Sequence, residues 1–298
     1  MDKPLVSVII PTHNRKEKLI RLINSILESN YPKDRLEIIV VDDASTDGTY
    51  NAVKMKFQQV KIIRNERELL PTASRNIGIK NSHGGYLFFI DDDNVVKNDT
   101  ITHLIDAMES NRKLGLCGPV TVYYSDPFRI WCAGAFLKKP LYYMVHYKVN
   151  SALSELKEKL IYCDYIPNAY ATRKEIIDKI GYFDEKNFPI AWEEIDFAQR
   201  VKKAGYDVAV VTLSIVMHDV PKKPYVGSLH IKPKRSYYRG RSRVMFYKKY
   251  VSWRLLGLFI DMIGFSYLAL KYSNQGTKNI NYYVKGVLNG LLRKSPAI

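Results

Sequence analysis

Apolar and polar positions along the first two-thirds of the chain fall into blocks of alternating period. Leu5 to Ile10 is an apolar run, with Ser7 inside it, stopped by Pro11-Thr12-His13-Asn14, a strand ended by turn residues. Leu19, Ile20, Leu22, Ile23, Ile26 and Leu27 then recur at helical spacing until Pro32 breaks them. Glu37 to Val41 reads as a second strand running into Asp42-Asp43-Ala-Ser45-Thr46-Asp-Gly, where Ser45 or Thr46 can cap the next helix. Val60–Ile63 is a third strand, Pro71–Lys80 a helix and Tyr86–Ile90 a strand buried on both faces. A helix over Asp99–Ser110 and a strand over Leu114–Val122 follow. From Tyr123 to Leu160 the period is lost, and this Tyr-, Lys- and Pro-rich stretch reads as irregular structure. Regularity returns with a helix near Arg173–Ile180, another over Glu194–Ala204, and a last strand over Asp207–Leu213. Strands alternating with helices predict an α/β protein with a mostly parallel sheet.

The last part of the chain is different. Pro221, Pro224 and Pro233 mark 222–235 as a linker, and three helical patterns follow over 236–251, 253–272 and 280–292. The middle one holds 16 residues between Arg254 and Lys271, interrupted by Asp261, short of the roughly 20 a spanning helix needs. Charge divides at the same place. Of 46 Lys and Arg, 16 lie from Lys222 onward, against one of the 30 acids, so the net charge of +16 is almost wholly a property of this region. The expected division is therefore a catalytic domain over 1–221 and a basic, aromatic-rich helical region over 222–298, with an anionic surface as its partner. The three cysteines have no CxxC spacing, which argues for a reducing compartment and against a disulfide framework or zinc site. The opening apolar run of six is too short for a signal-peptide core, so no secretion is expected.

The chemistry centres on Tyr86-Leu-Phe-Phe-Ile-Asp91-Asp92-Asp93-Asn94. Three adjacent carboxylates at the carboxyl end of a buried strand lie where open α/β sheets build ligand crevices. They repel one another unless a cation lies between them, and a hard divalent ion shared with a phosphate-bearing ligand meets that need. An acidic turn capping the next helix is the plainer alternative. Asp42-Asp43 ends a second strand on the same rim, where acceptors for a base N–H and for ribose hydroxyls are required.

Taken together, Val6-Ser-Val-Ile-Ile-Pro-Thr-His-Asn14, Val41-Asp-Asp-Ala-Ser-Thr-Asp-Gly48, Ser74-Arg-Asn-Ile-Gly78, Asp91-Asp-Asp93 and Trp192-Glu-Glu-Ile-Asp196 with Arg200 and Gly205 resemble glycosyltransferase family 2, in order over about residues 5–220. The resemblance implies a GT-A fold and an inverting, metal-dependent transfer of a sugar from a UDP-, dTDP- or GDP-linked donor. It implies that Asp43, with Asp42 in reserve, meets the base, and that Pro11, Thr12 and Asn14 line the same pocket. Arg75 would reach base or phosphates, and Asp91 and Asp92 would face the nucleotide. Asp93 would ligate Mn²⁺ or Mg²⁺ with Asp91, and His218 would be a third ligand. The family's Glu-Asp pair is Glu193-Glu194 here, so the general base is Glu194 or, one residue back, Glu193. Asn168 departs from the family's frequent glycine in a loop expected to border the acceptor.

The resemblance further implies a glycan or polyprenyl-linked acceptor and a place on the cytoplasmic face of a membrane. Arg239, Arg241, Arg243, Lys248 and Lys249 would then meet anionic lipid, while packing on the catalytic body or forming a homo-oligomer is the alternative for these helices. A nucleotidyltransferase would be expected to show a Gly-rich basic loop after the first strand, where Pro-Thr-His-Asn-Arg stands instead. A nucleic-acid module could use the basic aromatic tail, yet no nucleic-acid motif is present and the acidic rim would repel phosphates, so no nucleic-acid partner is expected.

Overall fold

The computed structural model describes residues 3–221, 232–252 and 254–292. Most of the expected linker (222–231) and the aromatic Trp253 lie outside the described residues.

The chain begins with β1 (Val6–Thr12), α1 (Lys16–Leu27), β2 (Leu36–Asp42), α2 (Thr49–Lys56), β3 (Val60–Arg64), α3 (Pro71–Lys80) and β4 (Tyr86–Ile90). These four strands pair in parallel in the order β3-β2-β1-β4, so their carboxyl ends share one rim. Next come β5 (Asn94–Val96), α4 (Thr100–Ser110), β6 (Leu114–Tyr123), β7 (Asp126–Cys132), β8 (Ala135–Lys138) and β9 (Tyr143–His146). The body closes with β10 (Leu160–Tyr162), β11 (Ala169–Arg173), α5 (Lys174–Ile180), α6 (Glu193–Lys203) and β12 (Asp207–His218). β11 enters the sheet antiparallel between β4 and β6, and β12 runs parallel to β6. Short β5 pairs with the end of β12, bringing Asn94 opposite His218.

Strand β4 shows why an unbroken apolar run is needed. Its side chains alternate between two cores: Leu87 and Phe89 face one, while Tyr86, Phe88 and Ile90 face the other. The second core is closed by α1 and α4, whose apolar faces are Leu19, Leu22, Ile23, Ile26 and Ile101, Leu104, Ile105, Met108. On the other side α3 lies so close to β1 that a Cβ on Gly78 would come within 2.4 Å of Ile9.

Two expectations fail here. Residues 123–160 are not irregular: β7 pairs with β6, β8 with β9, and β10 with β12. Hairpins half-covered by protein, with Phe128 and Tyr143 exposed, carry no continuous apolar signal. Nor does Ser45 or Thr46 cap α2: its N-cap is Gly48, and Asp47 just before it accepts from the Thr49 amide at 3.1 Å.

The C-terminal helices are α7 (Pro233–Tyr250), α8 (Arg254–Tyr272) and α9 (Gly276–Leu291). The expectation that the bases of α7 face a membrane is corrected here. Arg241 donates to the carbonyls of Lys186 and Asn187 at 3.0 and 3.2 Å, and Lys249 to Asp196 at 2.6 Å. Arg243 is clamped by Asp261 of α8 and by the Leu141 and Tyr142 carbonyls at 2.8 and 3.0 Å. Lys248 donates to the last carbonyls of α9. These charges close helix ends and bind α7 to the body. α8 is the exposed helix: Leu255–Tyr272 has a mean hydropathy of 1.4 and only 22% of it is buried. By length and composition alone that stretch could cross a bilayer, which the sequence expectation had judged too short.

Candidate active site

A cavity of about 970 Å³ opens at the strand rim. β1 delivers Pro11 and Thr12 to it, β2 runs into Asp43, β4 into Asp91, Asp92 and Asp93, and β12 ends on His218. The start of α6 supplies Glu193 and Glu194, and α7 and α8 form the opposite wall.

Within the acidic stretch each carboxylate has a different partner. Thr12 Oγ1 donates to Asp92 Oδ2 at 2.8 Å, and Arg15 Nη1 bridges Asp92 Oδ1 (2.9 Å) and Asp93 Oδ2 (2.7 Å). His218 Nε2 lies 3.2 Å from Asp93 Oδ1. Asp91 turns away to accept from Arg75 Nη2 at 2.7 Å. The other arm of Arg75 donates to Glu193 Oε1 at 2.8 Å and passes Glu194 Oε1 at 3.6 Å. Glu194 receives one short hydrogen bond, from the Asn168 backbone N–H at 3.1 Å. Asn168 in turn exchanges two 2.7 Å amide bonds with Asn94, tying the loop before β11 to the acidic strand.

These contacts separate the acids chemically. Burial works to raise the Asp93 carboxyl, but His218 and Arg15 outweigh it and hold it well below the usual range. Burial, with the charges of Asp93 and Asp91, lifts Asp92 to about 7 against the pull of Arg15 and Thr12. Glu194 is pushed well above the carboxylate range, first by burial and then by Glu193 and Asp91, against the pull of Arg75. Burial also lowers the nearby His146 to about 4, with His218 adding to it. A carboxylate that binds protons tightly beside one that releases them readily is the environment in which acid and base roles diverge.

Several candidate residues occupy other positions than the sequence implied. Asn14 does not line the cavity; its φ of 53° turns the chain and its Oδ1 accepts from the Thr46 amide at 2.7 Å, pinning the 43–47 loop. Asp42 is fully buried, accepts from the Ser45 amide and leaves the rim to Asp43. Asp43 faces the cavity, but its oxygens accept from Asn65 Nδ2 and from the Leu69 and Leu70 amides at 2.7–2.8 Å. That leaves about one of a carboxylate's four acceptor positions open. Arg75 is buried and spent on carboxylates, so it positions acids instead of presenting an open fork. The three-ligand metal set is not assembled: among the described residues no three His, Cys, Asp or Glu side chains form a ready metal cluster. Asp93 and His218 do face each other, a hard oxygen beside an imidazole nitrogen, a mixed pair that fits Mn²⁺ better than the oxygen-seeking Mg²⁺; Asp91, held by Arg75, does not join them.

Sequence reasoning missed Arg15, Trp131 and His146, and gave Arg243 to a lipid surface where it lines the cavity. Arg15 had a signal, a base one turn past the first strand and so facing the acidic rim. Trp131 stacks edge-on against both His146 and His218 at 5.0 and 4.7 Å, but it stands on a hairpin that had no readable period.

Comparison with known proteins places this arrangement. The sequence pattern of glycosyl transferase family 2 matches residues 7–181, more than half of the chain. The chain belongs to glycosyl transferase family 2. Among similar proteins, the probable glycosyltransferase YdaM of Bacillus subtilis is 26% identical over 74% of this chain and 52% of its own length. The poly(ribitol-phosphate) β-N-acetylglucosaminyltransferase TarS of Staphylococcus aureus is 32% identical over 32% of this chain and 17% of its own length. Glycosyltransferase AglE of Haloferax volcanii is 36% identical over 30% of this chain and 31% of its length, so this family 2 chain spans about half or less of these relatives.

Solved structures agree on the GT-A fold. A mannosyltransferase of Pyrobaculum calidifontis, in complex with GDP-Man and Mn²⁺, superposes with a TM-score of 0.59 over 99% of this chain and 89% of that one, at 16% identity. GalNAc-T7, with UDP, GalNAc and Mn²⁺, gives 0.65 over 99% of this chain and 58% of that one, also at 16% identity. The family 2 match stops before Glu193, Glu194, His218 and the three C-terminal helices, so their arrangement is read from this chain alone.

Proposed function

We propose that the protein transfers a sugar, with inversion, from a nucleoside-diphosphate donor to a hydroxyl of a lipid-linked glycan or polysaccharide precursor at the cytoplasmic face of a membrane. Residues 1–221 form the catalytic domain and 222–298 the region that attaches it. One observation carries this: Asp43, the Asp91–Asp93 stretch, His218 and Glu194 converge on a single cavity, and Glu194, of raised proton affinity, is the acid there that no side chain clamps at hydrogen-bond distance.

In this reading Asp43 uses its remaining acceptor position on the base, beside Pro11 and Thr12. Asp91 and Asp92 face the ribose and phosphates. Asp93 and His218 hold the divalent cation, Mn²⁺ as in the two solved neighbours or Mg²⁺. When bound, the cation supplies positive charge against the departing diphosphate. Arg75 fixes Asp91 and Glu193, so that Glu194 keeps its basicity and takes the proton of the acceptor hydroxyl as that oxygen attacks the anomeric carbon. Aligning two reactants in one cavity removes much of the entropic part of the barrier.

The test is a panel of UDP-, dTDP- and GDP-linked sugars assayed for release of the nucleoside diphosphate, with Mn²⁺, with Mg²⁺ and with chelator. Metal-dependent release from one member is expected. No release from any donor, and no nucleotide binding that responds to metal, would overturn the reading.

A further inference from the structure

Arg15 follows the turn that ends β1 and stands immediately before α1, where its carbonyl accepts from the Leu19 amide at 3.0 Å. Its side chain holds the acidic stretch by one corner. Nη1 makes both contacts, to Asp92 Oδ1 at 2.9 Å and to Asp93 Oδ2 at 2.7 Å. Among the described residues no other group bonds to its Nε or Nη2. The two carboxylates are buried, whereas the Arg15 side chain is 38% exposed and lines the cavity. Arg75 and Arg243, also on the cavity, are committed elsewhere. Arg75 has an arm on Asp91 and another on Glu193, and Arg243 is clamped by Asp261 and two carbonyls.

The position of Nη1 sets Arg15 against any second positive charge. Asp93 turns its other oxygen, Oδ1, to His218 Nε2 at 3.2 Å, and no closer hydrogen bond satisfies that buried atom among the described residues. A cation held by Oδ1 and His218 would share a single carboxylate with the guanidinium. Like charges on one acid repel strongly where water is excluded, so occupancy by one weakens the hold of the other.

We propose that Arg15 is the built-in counter-ion of the acidic stretch: it holds Asp92 and Asp93, gives them up to a divalent cation, and turns its freed guanidinium to the diphosphate of the nucleotide. This rests on the cavity being the nucleotide-sugar site, and adds to it a residue and a rule of binding. A phosphate presents paired oxygens to a planar fork, and Nε with Nη2, the edge that no protein group uses, is the matching pair. Only the side chain has to move. The backbone on either side is fixed by α1 and by Asn14, whose amide donates to Ser45 Oγ at 2.9 Å. The movement couples the two ligands. A diphosphate that draws Arg15 away raises the affinity for the cation, and the cation raises that for the diphosphate by the same factor.

The experiment uses the full chain and needs no turnover. Binding of Mn²⁺ alone is read by electron paramagnetic resonance, and binding of inorganic pyrophosphate, UDP, dTDP and GDP by calorimetry at saturating Mn²⁺. Arg15→Gln should bind Mn²⁺ alone at least about tenfold more tightly than the parent and diphosphates at least about tenfold more weakly, the scale of one charge-assisted hydrogen bond. Opposite signs are the signature, since a merely structural loss would weaken both ligands. Lys18→Ala removes a neighbouring charge of α1 that is paired with Asp219 and not with the acidic stretch, and should leave the Mn²⁺ affinity within about twofold. Should Arg15→Gln fail to fold, Arg15→Lys keeps the charge without the fork, and should hold Mn²⁺ as the parent does while losing diphosphate affinity. If Arg15→Gln leaves the Mn²⁺ affinity unchanged or lower, or if Lys18→Ala raises it as much, Arg15 is no counter-ion. If Mn²⁺ tightens and the diphosphates bind as before, the guanidinium does not turn to them and the proposal falls. Pyrophosphate that follows the expected pattern in a protein that binds none of the three nucleotides would uphold Arg15 and sink the nucleotide-sugar reading alone.

Discussion

Glu193 and Glu194 are neighbours at the start of α6, yet Arg75 separates their roles. It takes the charge of Glu193 at 2.8 Å and leaves Glu194 with a backbone N–H and a contact at 3.6 Å. Two positive-φ residues, Ala191 and Trp192, set the turn that aims both. Such strained positions cost about 1–3 kcal/mol each, which persists at sites that need one geometry. Glu194→Gln is expected to lower transfer by about 10²-fold or more, the low end for loss of a general base, with nucleotide affinity unchanged. The pH profile is the sharper check. In the proposed role Glu194 must lose its proton to act, and its pKa is raised, so the rate should climb with pH along a limb well above the ordinary carboxylate value. In Glu193→Gln one repulsive charge is gone and Arg75 is freer to lean on Glu194, so that limb should move to lower pH; a limb that stays put would mean that another group titrates. Asp93→Ala should abolish metal-dependent nucleotide binding. Full turnover by that variant in the presence of chelator would remove Asp93 from the ligand set.

At the scale of elements, legibility followed burial. β1, β2, β4, α1 and α4 could be read because each buries a full apolar run or stripe, and the acids at the ends of β2 and β4 came with them. Strands β7 to β10 could not, since short edge strands and hairpins partly covered by side chains from distant segments carry no period of their own. The same limit hid Trp131 and His146, and it hid the diversion of Arg75 and Asp91 toward each other, which depends on where α6 lands. Asn168 was noticed as a departure from glycine; its φ of 75° supplies the reason, because asparagine is among the residues best able to adopt that backbone. The α7–α9 pair is the contact whose cause is clearest. A Cβ on Gly286 would come within 2.0 Å of the Tyr237 carbonyl oxygen and one on Gly240 within 2.4 Å of that of Tyr283, so two backbones touch where glycines face each other. Gly286→Val must push the helices apart and should cost at least about 1–3 kcal/mol, as for overpacked cores. Thermal unfolding with and without nucleotide checks it. An unchanged midpoint would show that α9 does not hold α7 in place.

For the whole molecule, the placement of charge and apolar surface sets what the proposed membrane attachment predicts. The excess positive charge of residues 222–298 suggests binding by charge alone, but Arg241, Arg243, Lys248 and Lys249 are consumed inside the protein. Among the described residues, what faces outward is the apolar face of α8, with Leu255, Leu256, Phe259, Ile263, Tyr267 and Leu270 each more than half exposed, together with exposed Lys232, Arg235, Lys271, Lys278 and Lys285. Burying one such side chain contributes roughly 1.5–3 kcal/mol, against roughly 1 kcal/mol for a base near an anionic leaflet. The apolar part therefore wins, and unlike the charged part it is not screened by salt. Flotation with liposomes should show binding to neutral as well as anionic vesicles, weakened but not lost at high ionic strength. Phe259→Glu with Ile263→Glu should abolish flotation on both kinds of vesicle while nucleotide release from a donor stays as in the parent, since neither residue lines the cavity. Should flotation require anionic lipid and vanish with salt, the bases would be the anchor and the face of α8 would need another partner. Should the parent protein sediment as a dimer that these substitutions dissolve without ever floating, that partner is a second copy of the chain.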